Sequence, residues 1–165
     1  MKMVKLKLAF ILLFSPIWPI GDAHALGDPY LIINKTSNRL AYVEDGTIKE
    51  IYKVATGKSK ELTPEGEFTI TVKAVDPYYR KKDIPGGDKT NPLGTRWIGF
   101  DANGTDGRTF GIHGNNNPSA IGRYVTAGCI RMYEKDVQKL YSKLKIGTKI
   151  KVVHSQKSFD DIIKQ

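Results

Sequence analysis

"GIHGNNNPSAIGRYVTAGCIRM", residues 111–132, contains the only cysteine of the chain, Cys129, and one of its three histidines, His113. The two are 16 positions apart, across a loop rich in glycine and asparagine. A strand ending at His113 and a loop returning at Cys129 can bring imidazole and thiol together. The thiol needs such a neighbour, because a free pKa of about 8.5 leaves only a few per cent thiolate at neutral pH. An adjacent imidazole takes the proton and holds the thiolate as an ion pair. Gly128 leaves the backbone beside the sulfur unobstructed, so that a substrate carbonyl can approach and meet local N–H donors. On spacing alone, a structural cysteine and a structural histidine remain the alternative.

The N-terminus bears on why a single thiol is kept. Lys2, Lys5 and Lys7 precede the apolar run "LAFILLFSPIWPI", and "DAHA" follows with Ala23 and Ala25 in small-residue positions. That order is the order of a secretory signal, expected to be removed after residue 25. The run is shorter than the roughly 20 residues that span a bilayer comfortably, and an uncleaved anchor is the alternative reading. No cysteine follows it, which argues against a lipid anchor. The expected division is therefore a leader over 1–25 and one domain over 26–165, localised across the cytoplasmic membrane. In an oxidising compartment a lone cysteine is a liability unless its reactivity is used.

Loss of Lys2, Lys5, Lys7 and Asp22 lowers the net charge from +9 to +7. The remaining lysines are scattered, without the dense block of a nucleic-acid arm, so no nucleic-acid partner is expected. The charge suits attraction to an anionic surface such as a bacterial envelope, and equally a merely soluble basic surface.

Most of the chain reads as short strands. "YLIINK" and "RLAYVE" are rich in β-branched and aromatic residues, and Asp45-Gly46 joins the second to "TIKEIYKVATG" as a hairpin turn. "GEFTITVKAV" alternates Phe68, Ile70 and Val72 with polar positions, as a half-buried strand does. "RWIGF", "RTFGIH" and "TKIKVVH" complete the set. One helix is expected over 133–145, where Val137, Leu140, Tyr141 and Leu144 share a face, acidic residues begin it and Gly147 follows it. The stretch 76–95, "DPYYRKKDIPGGDKTNPLGT", has no period; Tyr78, Tyr79 and Trp97 suggest a substrate-contacting flap there, against a plain surface excursion.

His-Gly, a loop, then Thr-x-Gly-Cys-Ile-Arg-Met resembles the signature of the L,D-transpeptidase catalytic domain, the YkuD domain. "TPEGEFTI" (63–70) and "NPLGTRWIGF" (91–100) resemble two further segments of that family. The resemblance runs from about Tyr30 to Val153. It implies a mainly β, sandwich-like domain with one main α-helix after the cysteine. It implies Cys129 as acylated nucleophile, His113 as base, the main-chain carbonyl of Gly114 as orienter of the imidazole, and N–H groups at Gly128 and Cys129 as the oxyanion hole. Arg131 matches the family's arginine and either supports the site or attracts a peptide carboxylate. Thr126, Tyr79 and Trp97 join it as candidate substrate-binding residues. Many members carry a histidine directly before Gly-Cys; here Ala127 stands there, so any donor that side chain supplies is missing.

The activity implied is transfer on peptidoglycan stem peptides, with release of D-alanine and formation of 3→3 cross-links. An L,D-carboxypeptidase using the same residues, or a non-catalytic basic wall-binding module, are the alternatives. A monomer without cofactor or metal is expected, since His113, His154 and Cys129 lack any short ligand spacing. A papain-like protease is disfavoured, because the cysteine precedes no partner histidine in the required order.

Overall fold

The computed structural model describes residues 27–165, so the leader expected over 1–25 lies outside the described residues. The chain opens with β1 (Tyr30–Asn34), β2 (Arg39–Glu44) and β3 (Thr47–Lys53), an antiparallel meander. Asp45 and Gly46 both take positive φ, 52° and 66°, which is the backbone a tight hairpin with the right twist requires. A two-residue strand, β4 (Thr56–Gly57), follows, and then β5 (Gly66–Val75), β6 (Arg96–Phe100) and β7 (Phe110–His113). The short β8 (Tyr124–Thr126) and β9 (Ile130–Arg131) precede helix α1 (Glu134–Lys143), and β10 (Lys149–Val153) and α2 (Phe159–Ile163) end the fold.

Eight strands form one sheet in the order β3-β2-β1-β10-β5-β6-β7-β9, while β4 and β8 pair separately. The long β5 belongs to both halves of that sheet. Residues 66–69 pair with β10, residues 70–75 pair with β6, and the register slips between Ile70 and Val72. Such an irregularity bends a strand and increases its twist. The two layers expected of a sandwich are thus halves of a single curled sheet. Their inner faces share one core, with Leu31, Ile33, Leu40 and Tyr42 from one half and Ile98, Phe100, Ile112 and Ile130 from the other. Val137, Leu140 and Leu144 add the apolar face of α1 to the same core. Lys73 fixes the end of that helix, donating to the carbonyls of Tyr141 (2.8 Å) and Leu144 (2.5 Å).

Several elements were not legible as such, among them β4, β8, β9 and α2. β9 is only two residues long, yet it pairs parallel with β7 and sets Ile112 beside Ile130 and His113 beside Arg131. The helix α2 begins at Ser158, whose hydroxyl accepts from the Asp161 N–H at 3.2 Å, and its Ile162 covers Ile32, Ala41 and Val43.

Candidate active site

Side chains alternate along β6, β7 and β9, and this decides what each surface carries. Ile98, Ile112 and Ile130 turn inwards, so Trp97, Gly99, Gly111, His113 and Arg131 belong to the outer face. The pairing also sets Cys129, one residue before β9, level with Gly111. Glycine is needed at 111 because the Trp97 indole lies there, and at 99 because the Gly107 carbonyl lies against it, 1.8 Å from where a Cβ would stand, with the indole beside it. A Cβ on Gly111 would stand 2.6 Å from its six-membered ring, and one on Gly99 2.6 Å from its Nε1. That Nε1 donates to the Gly107 carbonyl at 2.9 Å, and the indole stacks on the His113 ring with centroids 5.6 Å apart.

The imidazole is held at a second point. His113 is 3% exposed, and its Nδ1 bonds the carbonyl oxygen of Gly114 at 2.8 Å, which assigns the Nδ1–H tautomer in the neutral ring. Burial pushes the His113 pKa down to about 4; the carbonyls of Gly114 and Leu93 pull it up and the Arg131 guanidinium pushes it lower. At neutral pH the ring is therefore uncharged. Burial also raises the Cys129 thiol above its ordinary value, against the opposing pull of the Gly111 N–H, Lys81 and Arg131. The resting pair is thus thiol and neutral imidazole, not the ion pair expected from the sequence. The thiol points to the Thr109 carbonyl at 3.5 Å, and no hydrogen bond among the described residues joins it to the ring.

The turn before the thiol is closed by threonines. Thr126 Oγ1 accepts the Gly128 N–H at 3.1 Å and donates to the Cys129 carbonyl at 2.6 Å. Thr63 Oγ1 donates to the Gly128 carbonyl at 3.0 Å and accepts the Gly57 N–H at 2.9 Å. Lys35, 4% exposed, holds the same segment through the carbonyls of Lys60 (2.6 Å) and Thr63 (2.8 Å) and an ion pair to Glu65 at 2.9 Å. Beside this turn, the Arg131 Nε is buried with no hydrogen-bond partner among the described residues. A groove of about 460 Å³ lies elsewhere, beside α2, and its lining of Tyr30, Phe68, Lys149 and Ile162 includes neither Cys129 nor His113.

Residues 28–152 match the family model of the L,D-transpeptidase catalytic domain, YkuD. The chain belongs to the L,D-transpeptidase family. It is 51% identical over 154 residues to the putative L,D-transpeptidase YqjB of Bacillus subtilis, spanning 93% of this chain and 88% of that protein. It is 33% identical over 132 residues to the putative L,D-transpeptidase YkuD of the same organism, over 77% and 70% of the two chains. Among solved structures, the catalytic domain of the Enterococcus faecium L,D-transpeptidase is similar in fold, with a TM-score of 0.58 at 22% identity over 78% of this chain and 99% of that one. L,D-transpeptidase 3 of Mycobacterium tuberculosis, solved with a faropenem-derived adduct, gives 0.58 at 19% identity over 76% and 60%.

Four expectations for an L,D-transpeptidase site need correction in this chain. Gly128 does not clear an approach for substrate: a Cβ there would stand 2.4 Å from the Leu62 carbonyl oxygen, so the glycine admits the 58–65 segment. Its N–H is engaged by Thr126 and is not a ready oxyanion donor. Thr126 is 2% exposed and closes the turn, so it does not face a ligand. Trp97 is 9% exposed and supports the imidazole from β6, outside the 76–95 loop.

That loop is more ordered than its composition suggests. Asn91, 1% exposed, donates to the carbonyls of Pro77 (2.9 Å) and Pro85 (3.1 Å), while its own oxygen accepts the Leu93 N–H at 2.9 Å. Tyr79 is half-buried and exchanges backbone bonds with Ile84. Tyr78 is exposed, with its hydroxyl on Asp83. His154 bonds Thr36 Oγ1 at 3.2 Å, away from Cys129.

Proposed function

We propose that this chain is an exported L,D-transpeptidase that cross-links peptidoglycan stem peptides. The observation that carries the reading is the buried His113, tautomer-locked by Gly114, set by the β7–β9 pairing on the face that Cys129 joins. Cys129 Sγ attacks the carbonyl of the third stem residue while its proton passes to His113 Nε2. The tetrahedral intermediate collapses with cleavage of the bond to the terminal D-alanine, whose amine takes that proton and leaves. An acceptor amine then attacks the thioester, loses a proton to His113, and restores the thiol. Arg131, whose buried Nε has no hydrogen-bond partner among the described residues, is suited to a carboxylate or a developing oxyanion of the substrate. Lys81 adds positive charge near the thiol.

Purified muropeptides incubated with the residue 26–165 protein, followed by mass spectrometry, test the assignment. A dimer with one D-alanine lost and a 3→3 bond supports it. Tripeptide monomer alone makes the chain an L,D-carboxypeptidase. Unchanged substrate with retained wall binding by wild type and Cys129→Ser makes it a binding module. Export is tested separately: Leu26 as the first residue of protein recovered from medium or wall supports it, and an intact Met1 on membranes opposes it.

A further inference from the structure

Glu134 opens α1, and its carboxylate turns back between two loops. Oε1 accepts the Asn115 N–H at 2.7 Å, and Oε2 accepts the Thr95 N–H at 3.2 Å and the Thr95 hydroxyl at 2.7 Å. The Asn115 N–H and the Gly114 carbonyl belong to the same peptide group. That carbonyl is the partner of His113 Nδ1 at 2.8 Å. One amide plane therefore carries a carboxylate on its N–H and the imidazole on its C=O.

The space is shaped for this carboxylate. A Cβ on Gly94 or on Gly114 would stand 1.7 Å from Glu134 Oε1. The glycine of "NPLG" and the glycine after the histidine are both required by the same oxygen. The Thr95 hydroxyl that holds Oε2 is itself met by Gln138 Nε2 at 3.0 Å, which fixes the carboxylate from a second turn of the helix.

We propose that Glu134 is a positioning residue that acts on His113 through the Gly114–Asn115 peptide group. The inference rests on the acyl-transfer reading above. A carboxylate accepting an amide N–H draws electron density towards the carbonyl oxygen, and hydrogen bonds in such a chain strengthen one another. The Gly114 oxygen becomes a better acceptor for Nδ1–H, so the imidazolium formed during attack is stabilised as an aspartate stabilises it in serine enzymes. The charge itself stays one peptide away from the ring. Arg131 of β9 opposes that charge at the ring, and Cys129, set level with Gly111 by the β7–β9 pairing, is the other titratable group on this face. From β6, Arg96 donates to the Thr95 carbonyl at 2.8 Å behind the carboxylate.

The test is the second-order rate of Cys129 acylation by a carbapenem, followed by intact-mass spectrometry across pH, for wild type, Glu134→Gln and Thr95→Val. Glu134→Gln removes the charge at constant size and should slow acylation by roughly 10-fold, the lower end for partners that orient a reacting group. It should also lower the His113 titration midpoint read by ¹⁵N NMR. Thr95→Val loses one tether but keeps the charge, and should slow acylation less than Glu134→Gln does. Wild-type acylation with an equal rate and an unmoved His113 midpoint in a folded Glu134→Gln overturns this inference alone. No acylation of the wild type overturns the transpeptidase reading instead. Should Glu134→Gln fail to fold, ¹³C and ¹⁵N spectra of the wild type decide. The Gly114 carbonyl and His113 Nδ1 must shift with the titration of the Glu134 carboxyl carbon, and their indifference to it sinks the proposal.

Discussion

On the outer face of β1, β2 and β10, Ile32, Ala41 and Val43 are sealed by Ile162 of α2, while the outer face of β6 and β7 carries an indole, an imidazole and two glycines. The same curled sheet supplies both, and both are backed by the same core. Alternation makes the difference: where the outward residues are apolar the face is sealed by a helix, and where they are Trp97, Gly99, Gly111 and His113 it is equally buried but carries an imidazole beside the strand that follows the thiol. The covered face should therefore govern stability alone, and the working face should govern acylation with smaller effects on folding.

The widest separation is expected at Cys129. Cys129→Ala should abolish the single carbapenem adduct that maps to this residue, with a melting temperature close to wild type. A persistent adduct elsewhere would remove the thiol from the mechanism. His113→Gln comes next, with acylation slowed roughly 10²–10⁴-fold, the size of a general-base contribution; His154→Ala, on the other side of the fold, should leave the rate unchanged. Equal losses at the two histidines would undo the contrast between the faces.

Gly111→Ala probes the support under the imidazole. Its Cβ would meet the Trp97 ring at 2.6 Å, so the indole must shift and release His113. Overpacking of this kind costs about 1–3 kcal/mol, and the displaced ring should slow acylation roughly 10- to 100-fold. Acylation at the wild-type rate would show that the stacking is dispensable. On the covered face, Ile162→Ala should cost about 2–4 kcal/mol of stability through lost burial and a residual cavity. The acylation rate of its folded fraction should match wild type.

The smallest effect is on pH dependence. His113 titrates near 4 when folded and near 6.5 when exposed, because burial disfavours its charged form. Below about pH 6.5 the unfolded chain takes up the proton first, so the stability this residue contributes is complete above that pH and is lost as the pH falls towards 4. Denaturant midpoints at pH 7 and pH 5 should differ more for wild type than for His113→Gln. Identical differences would mean the imidazole is not buried uncharged. Acylation by wild type should in turn be flat with pH around neutrality, since His113 is already the uncharged base there and burial holds the Cys129 thiol above its ordinary value.

Strand alternation in "GEFTITVKAV", the Asp45-Gly46 turn and the spacing of Val137, Leu140 and Leu144 are local signals, and they suffice for the strands, the first hairpin and α1. The hydrogen bond of the imidazole to the Gly114 carbonyl could be anticipated because the family motif is written in contiguous residues; the same motif nominates His113 and Cys129. The two-residue β9 has no periodicity of its own and exists only because β7 offers it an edge. Trp97 and Thr126 were misplaced as ligand contacts for the same reason: which neighbour fills the space beside a residue is set by strand register, not by residue type. Glu134 looked like an ordinary acidic residue in the first turn of a helix. Only the folded chain brings Gly94 and Gly114, 20 positions apart, against one carboxylate oxygen. The residues able to do the chemistry are chosen by the sequence alone; the protonation state of His113, the uses of Gly128 and the peptide link from Glu134 to the imidazole arise from burial and close approach, which depend on distant segments meeting in space.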